Sequence, residues 1–348
     1  MRWRLSILFV LVLAACSSSA KHSSATPPTT RAPLTSSTVK SASPSPHVFV
    51  INLENKGFNE TWSKGSPATY LNKTLRPQGN LLTNYYGVGH ASLDNYIAEI
   101  SGQPPNPQTQ ADCIKYTEFA NGAGCVYPKS VSTIANQLDA AHKTWKSYQE
   151  DMTTPCRHPQ IGTTDTTLAA RKGDQYATRH NPFVYFHSII DKPECQKNVV
   201  DLKNLNDALL NESTTPNLSF ITPNLCHDGH DAPCVDGEPG GLKSADQFLA
   251  QLAPKILNSP AFKDNGTLVI TFDEADNDSS GCCGSTTGGG RVGALVISSK
   301  VKPGTTDAKP YNHYSLLCSI ENDFSLTHLA QANAKGLPCF GKDVYDAS

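Results

Sequence analysis

The chain contains the apolar stretch Val48-Phe49-Val50-Ile51-Asn52-Leu53-Glu54-Asn55, which ends in a carboxylate and an amide. A second stretch of the same kind, Leu268-Val269-Ile270-Thr271-Phe272-Asp273-Glu274, ends in two carboxylates. Both are short and rich in β-branched and aromatic residues, which predicts buried β-strands. Because open α/β sheets bind ligands beyond the carboxyl ends of their strands, these acidic ends predict a functional site.

Strand and helix patterns alternate along the rest of the chain. Three further segments have strand patterns: Thr144–Tyr148, Leu218–Thr222 and Val292–Ser298. Five segments have helical patterns: Ser92–Ser101, Ser130–His142, Val199–Asn211, Lys243–Leu257 and Tyr314–Phe324. This alternation predicts an α/β fold, a three-layer sandwich in which helices cover both faces of a largely parallel central sheet.

The start of the chain has the features of an export signal. Two arginines precede an apolar core, Leu5–Leu13, that is too short to span a bilayer as a helix. The following Leu13-Ala14-Ala15-Cys16 resembles a bacterial lipobox, which implies cleavage before Cys16 and lipidation of its thiol; the alternative is an ordinary secretory signal. We therefore expect a signal peptide at residues 1–15 and an exported protein held on the membrane of the cell envelope by lipidated Cys16.

The segment after the signal differs in composition from the rest of the chain. Residues 16–46 are rich in Ser, Thr, Pro, Ala and Lys and nearly lack large apolar side chains. Such a segment cannot bury enough surface to offset its ordering entropy, so we expect a disordered tether. Residues 47–348 suffice for one large catalytic domain, which we expect to be monomeric. A net charge of −2 argues against a nucleic-acid-binding surface.

The cysteine count fits export. Of eleven cysteines, ten remain once Cys16 is set aside, an even number in an oxidising compartment. Neighbours along the sequence suggest the disulfides Cys113–Cys125, Cys156–Cys195, Cys226–Cys234 and Cys318–Cys339. The remaining Cys282-Cys283 is then a vicinal pair or two free thiols. A cysteine-ligated zinc is disfavoured, since no CxxC pair stands opposite another.

The acidic strand ends predict a metal site. Glu54 and Asn55, like Asp273 and Glu274, offer only oxygen to a cation. Oxygen-rich sites favour hard ions, so we expect one divalent ion, Ca²⁺, Mg²⁺ or Mn²⁺ in preference to Zn²⁺. The alternative is that these residues cap helices or end strands in solvent, although two such pairs favour a metal.

Ser92 is the candidate nucleophile. It opens a helical pattern, and amides at a helix N-terminus favour an anion such as phosphate. Asn95 lies one helical turn further on, and its side-chain amide could donate a hydrogen bond to a phosphate oxygen. The alternative is that Ser92 caps the helix, since a serine cap and a serine nucleophile occupy the same place.

Histidines supply candidate acids and phosphate ligands. The stretch Cys226-His227-Asp228-Gly229-His230-Asp231 follows a predicted strand, and such a cluster can hold phosphate, donate a proton or bind a second metal. The alternative is a polar loop closed by Cys226–Cys234. His313 stands at the start of the last long helix, and His180 has weaker support from its surroundings.

In chain order, these residues resemble the family of bacterial phosphoesterases that contains secreted acid phosphatases and phosphatidylcholine-type phospholipases C, within the alkaline phosphatase superfamily. The likeness is greatest to actinobacterial secreted acid phosphatases that act on phosphoinositides, and it covers most of His47 to Leu329. The matching stretches are Glu54-Asn55, His90 with Ser92-Leu93-Asp94-Asn95, Asp228-Gly229-His230-Asp231, Thr271-Phe272-Asp273-Glu274, Pro303-Gly304 and His313-Tyr314.

The resemblance implies an alkaline-phosphatase-like fold and roles for the matching residues. Ser92 would attack phosphorus, with His230 as a second catalytic residue; the metal ligands would be Glu54, Asn55, Asp273 and Glu274; phosphate would be bound by His90, Asn95, Asp228 and His313. Glu274 stands where two-zinc members of the superfamily have His, which favours a single hard ion. The chain departs from the pattern at Asp94, where Pro is usual, and at Lys56, where Arg is frequent.

We therefore expect metal-dependent hydrolysis of phosphate monoesters, phosphoinositides among them, by a lipid-anchored acid phosphatase through a phosphoserine intermediate. Two alternatives stay open. One is a phospholipase C or another phosphodiesterase. The other belongs to a different class and is a non-catalytic envelope-binding lipoprotein that keeps the fold.

Overall fold

The computed structural model describes residues 45–285 and 287–345 of the 348-residue chain. The predicted signal peptide, Cys16 and nearly all of the predicted tether lie outside the described residues and stay predictions. Within those ranges, no helix has both the length and the apolar character needed to cross a membrane.

The described residues contain a large sheet of eight strands and a small parallel pair. The strands are β1 (His47–Leu53), β2 (Asn80–Leu82), β3 (Tyr85–Tyr86), β4 (Trp145–Gln149), β5 (Val199–Asp201), β6 (Leu218–Thr222), β7 (Gly266–Phe272), β8 (Ala294–Ser298), β9 (Thr305–Asp307) and β10 (Tyr311–Asn312). The large sheet has the order β5-β4-β6-β1-β7-β8-β2-β9, and β10 pairs with β3.

Strand β1 lies in the middle of the large sheet, between β6 and β7, and is parallel to both. Every residue of β1 and of β7 is buried, which explains why both read as continuous apolar runs rather than as alternating ones. Strand β8 is antiparallel to its neighbours β7 and β2. The predicted α/β fold with a largely parallel central sheet is therefore confirmed.

Helices flank the strands in chain order. They are α1 (Phe58–Trp62), α2 (Ser92–Ser101), α3 (Ile134–Ala140), α4 (His187–Ile190), α5 (Cys195–Asn198), α6 (Leu205–Ala208), α7 (Gly241–Asn258), α8 (Pro260–Asn265) and α9 (His313–Asp323). Every residue of α2 is buried, because this helix lies between the sheet and other elements, among them α9. Helix α9 begins with a capping box formed by Asn312 and Ser315.

Two predicted helices differ from the structure. The pattern over Val199–Asn211 is not one helix: β5 comes first, and its β-branched Val199 and Val200 pair with β4. The Asp201 side chain then accepts a hydrogen bond from the Lys203 amide and starts a new turn. The helix predicted over Ser130–His142 is shorter, because Thr133 forms a capping box with Asn136 and so begins α3 at Ile134.

The disulfide predictions are confirmed. The described residues contain all four bonds suggested by sequence neighbours, and Cys282 is bonded to Cys283. Four of the five close loops outside the central strands, including the excursions around Cys113–Cys125 and Cys156–Cys195, whereas Cys282–Cys283 joins adjacent residues. The disulfides therefore stabilise the irregular parts of the fold, which contain few hydrogen bonds between strands.

Candidate active site

The carboxyl ends of β1, β6 and β7 meet at one edge of the large sheet. The Asp273 amide donates a hydrogen bond to the Leu53 carbonyl (2.9 Å), and the Glu54 amide donates to the Asp228 carbonyl (2.9 Å). Parallel strands in register bring these residues together although they are far apart in sequence. Glu54, Asp228 and Asp273 are 0 % exposed, so the three carboxyls form a buried acidic cluster.

Ser92 is the first residue of α2, and its hydroxyl points into this cluster. Its Oγ donates a hydrogen bond to Glu54 Oε2 at 3.0 Å. The helix N-cap is Ala91, whose side chain makes no capping bond, while Asp112 Oδ1 accepts from the Leu93 amide at 3.0 Å. Ser92 therefore does not cap α2, and its hydroxyl is turned toward the carboxylates instead.

Asn95 holds the loop that leads into α2. Its Oδ1 accepts from the amides of Val88 (2.7 Å) and Gly89 (3.1 Å), and its Nδ2 donates to the carbonyls of Gly89 and Ala91, each at 3.0 Å. These four bonds use both amide hydrogens and both oxygen lone pairs. Asn95 thus shapes the backbone before Ser92, and the phosphate contact expected for it stays a prediction.

Asp94, which stands where the resembling family usually has Pro, is buried beneath the same loop. Its carboxyl lies so close to Gly89 that a Cβ at position 89 would overlap it. Burial, together with the charge of Asp112, raises the pKa of Asp94 well above its ordinary value. The raised pKa therefore favours the neutral form of this buried carboxyl beneath the loop.

A histidine and an arginine accompany Glu54 in the cluster. His180 Nε2 lies 2.9 Å from Glu54 Oε1, its Nδ1 lies 3.6 Å from Asp228 Oδ2, and its ring stacks on Tyr96. Burial alone would raise the pKa of Glu54, but the charge of and hydrogen bond with His180 and the charge of Arg179 outweigh it and lower the pKa to about 2, while burial lowers the pKa of His180 itself. Glu54 is therefore held ionised.

The remaining carboxyls are arranged around Asn55, whose backbone has a positive φ of 45°. The Asn55 amide donates to Asp273 Oδ1 (3.0 Å), and its Nδ2 donates to Glu274 Oε1 (3.3 Å). Burial and then the charge of Glu54 raise the pKa of Glu274 to about 9 and that of Asp273 well above its ordinary value. Acidic groups crowded in this way favour a cation.

The donor set fits a hard divalent ion. Among the described residues, Asn55 Oδ1 and Asp273 Oδ2 are buried oxygens without a hydrogen-bond partner, and buried polar atoms are normally satisfied. Asn55 contacts both Asp273 and Glu274, whereas the possible ligand atoms that all lie within 4.8 Å of one another around Glu54 are those of Glu54, His180 and Asp228. The predicted set of four metal ligands stays a prediction, and His180 and Asp228 are further candidates beside Glu54.

The histidines predicted from the sequence lie at different depths. His90 is at the rim: it is exposed, and its Nδ1 lies 2.8 Å from Glu274 Oε2. The His230 ring is also exposed and contacts Asp231 at 2.8 Å, while its amide donates to Asp228 Oδ1. His313 is 0 % exposed, beneath the end of β7.

No site role is predicted for His180 from the sequence, although its Nε2 lies 2.9 Å from Glu54 Oε1 in the structure. It ends a three-residue 3₁₀ helix, Thr178–His180, inside a long irregular segment. No strand or helix pattern points to it. The run Arg179-His180 is the one local signal, since two basic residues together need acidic partners when buried.

Two cavities flank the site. One of about 240 Å³ is lined by residues that follow Asn55 and Glu274, including Glu60, Asp276, Asp278 and Arg291. The other, of about 350 Å³, is lined by the loop residues Gly87 and Val88, by Cys282–Cys283, Tyr314 and Lys335. The described residues that line this second cavity include no carboxylate. The two cavities therefore differ in charge.

The comparison with protein families agrees with this geometry. The model of the phosphoesterase family matches residues 67–327, about three quarters of the chain.

The chain belongs to the phosphoesterase family.

Curated relatives of this phosphoesterase include phosphatases of fungi and of a bacterium. It is 28 % identical over 260 residues to a phosphate-repressible acid phosphatase of Penicillium chrysogenum, covering 74 % of this chain and 55 % of that protein. It is 29 % identical to a probable acid phosphatase of Kluyveromyces lactis, covering 81 % and 59 %. It is 23 % identical to a phosphatidylinositol-3-phosphatase of Mycobacterium tuberculosis, covering 80 % and 77 %. The chain thus spans little more than half the length of the fungal relatives.

Solved structures confirm the fold. A Vibrio parahaemolyticus protein in the alkaline phosphatase superfamily superposes with a TM-score of 0.52 at 13 % identity, covering 86 % of this chain and 71 % of that one. A putative sulfatase of Bacteroides thetaiotaomicron gives 0.54 at 11 %, covering 88 % and 75 %. The phosphoesterase therefore has an alkaline-phosphatase-like fold, as the sequence resemblance implied.

Proposed function

We propose that this phosphoesterase is a metal-dependent acid phosphatase that hydrolyses phosphate monoesters through a phosphoserine intermediate. The observation that carries the proposal is the hydrogen bond from Ser92 Oγ to Glu54 Oε2, at a helix start beside a buried cluster of oxygen ligands. A hydroxyl activated in such a place is suited to nucleophilic catalysis.

Glu54, Asn55, Asp273 and Glu274 would hold one hard divalent ion. When bound, the ion would keep the Ser92 hydroxyl ionised and offset charge on the transferring oxygens. Glu54 orients the hydroxyl at the start of α2. Attack by Oγ forms the bond to phosphorus as the bond to the leaving alcohol breaks, and water then hydrolyses the phosphoserine.

His90 is the better-placed proton donor for the leaving alkoxide. It lies at the exposed rim, 2.8 Å from Glu274, whereas the His230 ring is turned toward Asp231. A histidine in its acid form suits catalysis at acidic pH. The catalytic role predicted for His230 would need that side chain to turn away from Asp231.

The larger cavity is the better place for the leaving alcohol when that alcohol carries negative charge. Its described lining has Lys335 and no carboxylate, while the smaller cavity carries Glu60, Asp276 and Asp278. Repulsion by the three acids disfavours an anionic group there. Phosphoinositides are one such substrate class, and the mycobacterial relative is named as a phosphatase of one.

A phosphodiesterase or phospholipase C is the second candidate. Two cavities are lined by residues that neighbour site residues in the sequence, and together they would accept two ester substituents on one phosphate. A non-catalytic lipoprotein is less well supported, because the chain retains the hydroxyl and the carboxylates that the chemistry needs.

The test compares hydrolysis of 4-nitrophenyl phosphate with that of bis(4-nitrophenyl) phosphate, before chelation, after chelation and after add-back of Mg²⁺, Ca²⁺ or Mn²⁺. We expect the monoester to be the better substrate and the rate to return with metal. Faster diester hydrolysis would favour the second candidate. Full activity after exhaustive chelation would exclude metal dependence, and no activity with any metal and either ester would favour the binding protein.

A further inference from the structure

His313 lies in the interior, where it connects elements that carry the site. It is the first residue of α9 and is buried, as are Glu99, Tyr85 and Asn52 around it. Its Nδ1 lies 2.8 Å from Glu99 Oε1 and 3.1 Å from the Tyr85 hydroxyl. Its Nε2 lies 2.6 Å from the Asp273 carbonyl oxygen. Neither ring nitrogen faces the solvent side of the site.

The hydrogen-bonding roles of the ring follow from these partners. A carbonyl oxygen only accepts hydrogen bonds, so the Nε2 atom of His313 carries a hydrogen and donates it to Asp273. On the other side, a hydrogen on either Nδ1 or Glu99 Oε1 joins these two atoms and fixes the ring orientation. Glu99 is itself held, because its Oε2 accepts from Asn52 Nδ2 at 2.9 Å.

This chain of contacts joins three elements that carry site residues. Glu99 lies on α2, two turns after Ser92. Asn52 lies on β1, two residues before Glu54. Asp273 follows β7, and its main chain is held at both ends, since its amide donates to the Leu53 carbonyl and its carbonyl accepts from His313.

We infer that the buried Glu99–His313 pair positions the Asp273 carboxylate for metal binding by holding the Asp273 peptide. The inference rests on the proposed metal site, and it makes His313 a positioning residue in place of the phosphate ligand expected from the sequence. Oriented partners behind a metal ligand commonly change metal affinity by roughly 10–100-fold when they are lost.

Two substitutions of one residue separate positioning from mere packing. In His313→Gln the side-chain amide reaches about as far as Nε2 and can still donate to the Asp273 carbonyl. In His313→Asn it reaches about as far as Nδ1, so contact with Glu99 is kept and contact with Asp273 is lost. Both variants disturb the same buried cluster. His328→Asn is the control, since His328 is a half-buried histidine that lies away from this cluster and contacts Asn322.

The measurement is the affinity for Mn²⁺ alone, by calorimetric titration, with the thermal midpoint of each metal-free protein taken alongside. We expect His313→Asn to bind Mn²⁺ roughly tenfold or more weakly than the wild type, and His313→Gln to retain most of the affinity at a similar loss of midpoint. At saturating Mn²⁺, kcat should recover further in His313→Gln than in His313→Asn.

Equal Mn²⁺ affinity in both His313 variants and the wild type would overturn the inference, because the pair would then serve packing alone. Equal weakening in both would overturn it as well, since the bond to Asp273 would not matter. A wild type that binds no Mn²⁺, Mg²⁺ or Ca²⁺ would instead refute the metal site itself, and the inference with it. If the His313 variants do not fold, the same Mn²⁺ titration is carried out on Glu99→Gln. We expect this variant to bind Mn²⁺ more weakly than the wild type, as expected for His313→Asn.

Discussion

Ser92 Oγ lies 3.0 Å from Glu54 Oε2, although the two residues belong to different elements, α2 and the end of β1. The hydroxyl donates to a carboxylate that His180 and Arg179 keep ionised, with a pKa of about 2. This contact distinguishes a site hydroxyl from a helix cap, since Ala91 occupies the cap position. The two readings of Ser92 therefore predict different behaviour on substitution.

Ser92→Ala should abolish turnover with little effect on folding. We expect kcat to fall on the order of 10³-fold or more, because the covalent route is lost, and the thermal midpoint to change little, because no cap is removed. Phosphatase rate and midpoint are measured on one sample, with acid-quench trapping of the wild-type phosphoenzyme.

The matched control for this change is Ser101→Ala, at the other end of α2, where the hydroxyl donates to the Ile97 carbonyl. It should keep normal turnover. A fully active Ser92→Ala protein would show that the nucleophile lies elsewhere.

Asp273→Asn should remove the response to metal. Burial and the charges of Glu54 and Glu274 raise the pKa of Asp273, so replacing it with a neutral amide should not destabilise the metal-free protein. In the wild type, a metal at 100 times its dissociation constant should add about 2.7 kcal/mol of stability. We expect Asp273→Asn to lose that gain and nearly all turnover, as followed by melts with and without Mn²⁺.

Asp276→Asn serves as the control, because Asp276 is a neighbouring carboxylate that pairs with Lys56 at 2.9 Å. It should keep the metal-dependent gain in stability. The metal site would be refuted by an Asp273→Asn protein that gains as much stability from Mn²⁺ as the wild type does.

Glu321, away from the site on α9, should make stability depend on pH. Burial raises its pKa from 4.5 to about 8, so the folded state binds the proton more tightly than the unfolded state. The contribution is complete below about pH 4.5, declines as pH rises, and is lost above about pH 8. We expect the free energy of unfolding to fall by a few kcal/mol across that window.

In the wild type, Glu321 Oε1 accepts a hydrogen bond from the Leu329 amide at 2.9 Å. Glu321→Gln keeps an oxygen that can accept this bond but removes the carboxyl group that titrates. Urea unfolding at pH 5 and pH 8.5 should give a smaller difference for this variant than for the wild type. The same pH dependence in both proteins would assign it to other groups.

Lys335→Ala should affect only substrates whose alcohol is anionic. Lys335 lines the larger cavity, whose described lining has no carboxylate, and an exposed ion pair contributes about 0.2–1 kcal/mol. We expect kcat/KM to fall roughly two- to fivefold for a sugar bisphosphate and to stay unchanged for 4-nitrophenyl phosphate. Equal losses for both substrates, or none, would place the alcohol elsewhere.

Cys16 should carry the membrane anchor. Its position after an apolar core and an Ala-Ala pair predicts lipidation, so the wild type should partition into the detergent phase of a phase separation. Cys16→Ser should leave the precursor uncleaved or release the protein. A wild type found wholly in the aqueous phase would exclude the lipobox interpretation.

Local patterns were enough to locate the ends of β1 and β7 and the start of α2. The apolar runs before Glu54 and Asp273 are continuous because both faces of those strands are buried. A continuous apolar run can be recognised from the sequence alone. The three-residue strands β2 and β9 escaped prediction, because a run that short carries no period. Val199–Asn211 has a helix-like composition, but pairing with β4 overrides it.

By itself, the sequence determined the fold class and the placing of Glu54, Asn55, Ser92, Asp273 and Glu274 at the boundaries of elements, because the neighbouring residues encode those elements. It suggested four of the disulfides and left the state of Cys282-Cys283 open. The tertiary structure alone decided where the histidines lie relative to the predicted site. It brings His180 against Glu54, buries His313 behind Asp273 and leaves the His230 ring outside. The partners of a histidine come from packing between segments that are distant in sequence, and a local sequence pattern does not predict that packing.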